Sequence, residues 1–99
     1  MYIEAIQNCD LYTNKQRSIL STLVKVAIDD VATISPRDLS EISSATKPVV
    51  YKAIRLFEEE KLIKSLYSTN KKRGIFKLLK PKLDEIEEIY KKTQKLKNK

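Results

Sequence analysis

Residues 43–63 read SSATKPVVYKAIRLFEEEKLI, and the folding of this stretch decides the architecture of the chain. Four small residues and a proline lead into a run in which Val50, Ala53, Ile54 and Phe57 fall on one helical face. Pro48 lacks an N–H, which costs nothing in a first turn, and it biases Lys47 away from helical dihedrals. The cap is therefore Lys47, or Thr46 if Pro48 lies one place deeper. Thr46, Tyr51, Lys52 and Arg55 point away from the apolar face, and the far end reads Glu58-Glu59-Glu60. Such an outer face fits a helix that enters a groove of a polyanion, or an ordinary solvated surface helix.

The segments upstream are helical too. Ser35-Pro36-Arg37-Asp38 starts a short helix ending near Ser43, with Ser35 as cap, Pro36 in the first position and Asp38 near the positive helix end. Leu39 and Ile42 are its expected inward residues. Ser43-Ser44-Ala45-Thr46 is then a tight turn. Ala32-Thr33-Ile34 is β-prone and long enough for one strand bridge. Before it, Thr13-Asn14-Lys15-Gln16 fits a capping box, followed by the stripe Ile19, Leu20, Leu23, Val24, Ala27, Ile28, Val31. This helix is expected to end near Asp29–Val31. Residues 1–12 carry a short stripe of Tyr2, Ile3, Ile6 and Cys9, either an N-terminal arm or half of a dimer contact.

Downstream the period changes. Ser65–Thr69 is rich in β-formers, Asn70-Lys71-Lys72-Arg73-Gly74 is a turn with Asn and Gly to take positive φ, and Ile75–Leu79 returns. This predicts a β-hairpin with a cationic tip. Pro81 opens a last helix with Leu83, Ile86, Ile89, Tyr90 and Leu96 along one face, acids early and lysines late.

Composition narrows the function. The 99 residues suit one domain and carry a net charge of +7. Residues 1–34 hold three basic and four acidic side chains, and residues 35–60 hold four and five. Residues 61–82 hold Lys61, Lys64, Lys71, Lys72, Arg73, Lys77, Lys80 and Lys82 without one acid; residues 83–99 hold five lysines against four acids. An excess localised in this way is an electrostatic footprint for a polyanion. A lysine-rich solvated surface is the bland alternative.

The exclusions are equally informative. There is no histidine, one cysteine and one glycine. A His/Cys zinc site, a Ser-His or Cys-His nucleophile and a Gly-rich phosphate loop are therefore all excluded within one chain. No enzymatic activity, metal or cofactor is expected. Lone Cys9 fits a reducing compartment, and no apolar run approaches a membrane span. A cytoplasmic protein is expected, without membrane association or a small-molecule ligand.

The order helix, short strand, short helix, tight turn, helix, basic hairpin, helix resembles the winged helix-turn-helix transcription regulators of prokaryotes and their mobile elements. The resemblance covers about residues 13–80. Its most specific part is Val50-Tyr51-x-Ala53-Ile54-x-x-Phe57-x-x-x-x-Leu62-Ile63. Two positions depart from the family pattern. Lys61 stands where many members have Gly before the Leu-Ile pair, and the Ser44-Ala45 region replaces a Gly in the turn. Each departure costs up to about 1 kcal/mol if the residue is left-handed.

The fold class expected is mostly α with a small β-hairpin: an arm over 1–12, a winged-helix core over 13–80 and an additional C-terminal helix over 81–99. The resemblance implies a sequence-specific binder of double-stranded DNA that acts as a homodimeric transcription regulator. Helix 46–60 would then be the recognition helix, its amino-terminal half in the major groove. Thr46, Lys47, Tyr51, Lys52 and Arg55 are its candidate contacts. Arg55 suits guanine, Lys47 and Lys52 suit guanine or phosphate, and Tyr51 suits phosphate or sugar unless it flanks the core. Lys71, Lys72 and Arg73 would be the wing contacts and Arg37 a further phosphate contact. Leu83, Ile86, Ile89 and Leu96 would mediate dimerisation, unless the last helix packs back on the chain's own first helix. A replication, partition or chromatin factor and a protein-interaction module are the alternatives.

Overall fold

Thr13 starts the first long helix through the capping box its sequence encodes. Its hydroxyl accepts from the Gln16 N–H at 3.2 Å, and the Gln16 side chain accepts from the Thr13 N–H at 2.9 Å. The computed structural model describes residues 2–66 and 74–97, the side chain of Lys97 excepted. The elements are α1 (Tyr2–Gln7), α2 (Asn14–Val26), β1 (Val31–Ile34), α3 (Pro36–Ser43), α4 (Lys47–Glu59), β2 (Ile63–Ser65), β3 (Gly74–Leu78) and α5 (Lys80–Lys97). The strands form one antiparallel sheet in the order β1-β3-β2. Among the described residues no helix is long and apolar enough to cross a membrane.

The core is a single cluster that draws on every element. Ile19, Leu20 and Leu23 of α2, Leu39 of α3, Val50, Ala53 and Phe57 of α4, and Leu62 and Ile63 beyond it are almost wholly buried. Removing so much apolar surface from water is the main favourable contribution to the fold. Tyr12, absent from the expected stripe, is also buried. Its ring meets Phe57 edge-on at 5.7 Å between centroids.

Several boundaries differ from the expectation. Helix α2 ends at Val26, not near Asp29–Val31, because Ala27 is extended and Asp29 and Asp30 are both left-handed (φ 51° and 66°). Ile28 and Val31 exchange two backbone hydrogen bonds across this two-residue turn, at 2.9 and 3.0 Å. Aspartate tolerates positive φ, so the Asp-Asp pair turns the chain from helix into strand. Ile28 thereby leaves the apolar stripe and is exposed, and Ile42, expected inward on α3, is also exposed. On α3, Ser43 is buried instead.

The hairpin begins earlier than the β-formers suggest, at Ile63, and its pairing extends to Leu66, whose N–H donates to Ile75 O at 2.8 Å. Gly74 is the first residue of β3 and has no positive φ. Its need for a missing side chain is steric. A Cβ there would lie 2.4 and 2.6 Å from the Phe76 ring and 2.8 Å from Ile34 O.

Helix α5 packs on α1. Two tyrosines tie the pair together: Tyr2 donates to Asp84, and Tyr90 donates to Glu4 at 2.7 Å. Both phenols are pushed up from the ordinary value near 10, primarily by these bonds to carboxylates, Tyr2 to about 12.

Candidate nucleic-acid interface

Helices α3 and α4 are joined by Ser44, Ala45 and Thr46 alone. The turn is tight because α3 ends in a left-handed residue, Ser44 (φ 53°). Its N–H donates to Glu41 O at 3.3 Å and the Ala45 N–H to Ser40 O at 3.1 Å, the paired bonds of a Schellman ending. Ser40 returns a hydroxyl bond to Ala45 O, and Lys15 of α2 donates to Ser44 O at 2.5 Å. The turn is thus fastened at four carbonyls. Thr46 is the cap residue of α4, with Pro48 in the second position; the Thr46 side chain makes no capping bond.

Burying Val50, Ala53, Ile54 and Phe57 fixes the rotation of α4, so the opposite side of the helix faces outward. Thr46, Lys47, Tyr51, Lys52 and Arg55 are all exposed there, Tyr51 by 50%. Tyr51 therefore does not flank the core. Among the described residues none forms an ion pair with Lys47, Lys52 or Arg55. Pro48 and Val49 are also exposed beside them; the apolar period picks out only the buried face and leaves these two unassigned.

Two of the three carboxylates at the far end of α4 have structural partners. Glu60 accepts from the hydroxyl of buried Tyr12, and Glu58 accepts from Ser65 at 2.9 Å. Burial, and then the bond to Glu60, raises the Tyr12 phenol well above its ordinary range. These acids anchor α4 to α1–α2 and to β2. Lys47 and Glu59 are separated by twelve residues, about 18 Å of helix axis. Lys47 is therefore remote from Glu59, whereas Arg55 lies one helical turn from it.

Beyond α4 a second left-handed residue, Lys61 (φ 60°), ends the helix in the same way as Ser44. Leu62 N–H donates to Phe57 O at 2.8 Å and Lys61 N–H to Glu58 O at 3.1 Å. The chain reverses there into β2 and the wing. Lys71, Lys72 and Arg73 lie outside the described residues. Of the other cations in the acid-free segment, Lys80 pairs with Asp30 at 3.3 Å and Lys82 with Glu85 at 3.5 Å. Arg37 lies in the first turn of α3, exposed and 3.5 Å from Glu41, a pair both of whose members are well solvated. Such a contact is weak and open to exchange for a phosphate.

The four residues expected to mediate dimerisation are divided. Leu83 and Ile86 belong to the chain's own core, because the first two turns of α5 close over α1, so for these two residues the last helix packs back on the chain itself and they are not open for dimerisation. Ile89 is 60% and Leu96 72% exposed. A groove of about 450 Å³ at Ile89 is lined by Ala5, Cys9, Leu11, Arg17, Ile89 and Tyr90, among others.

No protein-family model matches this sequence, and no curated protein matches it. Solved structures do share its fold. MepR, a transcription regulator of the Staphylococcus aureus multidrug efflux pump MepA, superposes with a TM-score of 0.63 over 98% of this chain and 68% of its own, at 20% identity. The chain has the winged helix-turn-helix fold. Lactococcus lactis ZitR, solved in complex with DNA, matches with a TM-score of 0.56 over 92% of this chain and 62% of its own, at 21% identity. The archaeal chromatin protein TrmBL2 matches with 0.61 over 96% of this chain and 34% of its own, at 14% identity. The winged-helix chain thus spans between a third and about two thirds of these proteins.

Proposed function

We propose that this chain binds double-stranded DNA at specific sites and acts as a homodimeric transcription regulator. One observation carries the reading. The outward face of α4 presents Lys47, Lys52 and Arg55 to solvent without carboxylate partners among the described residues, while Glu58 and Glu60 at the carboxyl end are engaged by Ser65 and Tyr12. The fold shared with regulators such as MepR and with DNA-bound ZitR supports it.

In this reading α4 enters the major groove end-on. Arg55 reads a guanine edge through its planar fork, Lys47 and Lys52 take phosphate or guanine, and Tyr51 and Thr46 bond to the backbone. Arg37 reaches a flanking phosphate, and Lys71, Lys72 and Arg73 follow the backbone or the minor groove. The open apolar side chains Leu11, Ile89 and Leu96 support self-association through α1 and α5. Two-fold symmetry then matches an inverted-repeat operator.

Selection of bound duplexes from a random pool, with the affinity of the winner measured at two salt concentrations, tests the proposal. An enriched inverted repeat with half-sites about one helical turn apart is expected. A second reading, a general chromatin protein, draws on the acid-free segment 61–82, which would grip any sequence; its signature is salt-sensitive binding without enrichment. No binding at low salt refutes both.

A further inference from the structure

The sheet has a face that neither the core nor the recognition helix uses. Along β3, Gly74, Phe76 and Leu78 point inward and Lys77 points out; along β2, Ile63 points inward and Lys64 out. The register makes Lys64 and Lys77 direct cross-strand partners, with Val31 on the other side of Lys77. Two like charges directly opposite one another on a sheet are destabilising. Among the described residues no carboxylate forms an ion pair with either one. Asp30 pairs with Lys80, and Glu58 accepts from Ser65.

Lys64 alone has a structural reason to be there, because a lysine on an edge strand discourages pairing with another chain. That reason does not extend to Lys77, which lies on the central strand. We infer that Lys64 and Lys77 form a phosphate-binding pair, through which the outer face of the sheet grips the nucleic-acid backbone. This rests on the DNA-binding reading and adds a contact surface to it. The two strands lead into the connection that holds Lys71, Lys72 and Arg73 in the sequence, so the pair extends the wing's cations back towards the body of the domain. A phosphate bridging the two ammonium groups removes the repulsion that the free protein carries. The repulsion is then a cost of keeping the site open.

The test uses the full chain and the duplex selected from the random pool. The salt dependence of affinity and the melting temperature are measured for Lys64→Ala, Lys77→Ala, the two combined, Lys77→Arg and, as a control on charge alone, Lys25→Ala on the last turn of α2. Replacing both lysines by alanine removes the one bridged phosphate and should lower the salt slope by about 0.9, a loss of about 3.5-fold in the affinity ratio between 50 and 200 mM salt, and each single alanine should lower it by less. Lys77→Arg should retain the slope. Neither Lys64→Ala nor Lys77→Ala should lower the melting temperature, since each relieves the repulsion. Unchanged slopes in the pair, or an equal loss in Lys25→Ala, overturn the inference while leaving the DNA-binding reading intact. Absence of salt-sensitive binding by the unaltered protein overturns that reading, and this inference with it.

Discussion

Replacing Lys61 by glycine should stabilise the protein. Lys61 holds φ at 60° at the end of α4, where its N–H and that of Leu62 close the helix on Glu58 O and Phe57 O. A side chain with a Cβ costs about 1–2 kcal/mol in the left-handed region. Glycine removes that strain but returns about 0.4–1 kcal/mol by widening the freedom of the unfolded chain. The net gain is up to about 1 kcal/mol, which for a domain of this size raises the melting temperature by about 4–8 °C. Lys61→Ala is the necessary comparison, because it removes the same charge and keeps the Cβ. Urea and thermal denaturation followed by circular dichroism measure both. A Lys61→Gly protein no more stable than Lys61→Ala would refute the claim that the left-handed backbone at this residue is strained by its side chain.

Other consequences are as direct. Gly74→Ala should destabilise the fold by about 1–3 kcal/mol in urea denaturation, since the new methyl group meets the Phe76 ring and Ile34 O well inside contact distance. The raised phenols of Tyr2 and Tyr12 make stability fall with alkaline pH. Below pH 10 both states keep the proton and the contribution is whole; above it the unfolded state releases protons that the folded state retains, so stability declines from pH 10 towards 12 and beyond. The urea midpoint of Tyr12→Phe should fall less steeply over that range than that of the unaltered protein. Arg55→Ala should weaken binding to the selected duplex by about 1–3 kcal/mol and relax one base position in a repeated selection; an unchanged preference rejects the base-reading role. Ile89→Asp with Leu96→Asp should leave the melting temperature in place and shift sedimentation from dimer to monomer.

The parts of the fold visible in the sequence are those governed by local chemistry. The Thr13 capping box, the Ser35-Pro36 start of α3 and the buried face of α4 depend on residues within a turn or two of one another. The two positions where glycine was expected, Ser44 and Lys61, are both left-handed, so an unfavourable residue still marks the turn that the topology requires. What failed was tertiary. Ile28 continues the helical period perfectly well, yet the Asp29-Asp30 turn removes it from the helix, because pairing of β1 with β3 outweighs one more helical turn. Leu83 and Ile86 look like a free stripe until α1 is known to pack beneath them.

The interface divides in the same way. The exposed cations of α4 follow from its period, since whatever is off the apolar stripe must face outward. The engagement of Glu58 and Glu60 does not, because Tyr12 reaches Glu60 across 48 positions of sequence. The opposition of Lys64 and Lys77 needed the strand register, which a hairpin of unknown loop geometry leaves open.

The central claim is that α4 meets DNA by its amino-terminal half. Photo-crosslinking tests it most directly, with a benzophenone side chain placed at Lys52 or at Glu59 and the selected duplex as partner. A protein–DNA adduct is expected in higher yield from position 52 than from position 59, at the end of the helix that the proposed pose directs away from the groove. Adducts of equal yield from both positions, or an adduct from position 59 alone, would contradict it.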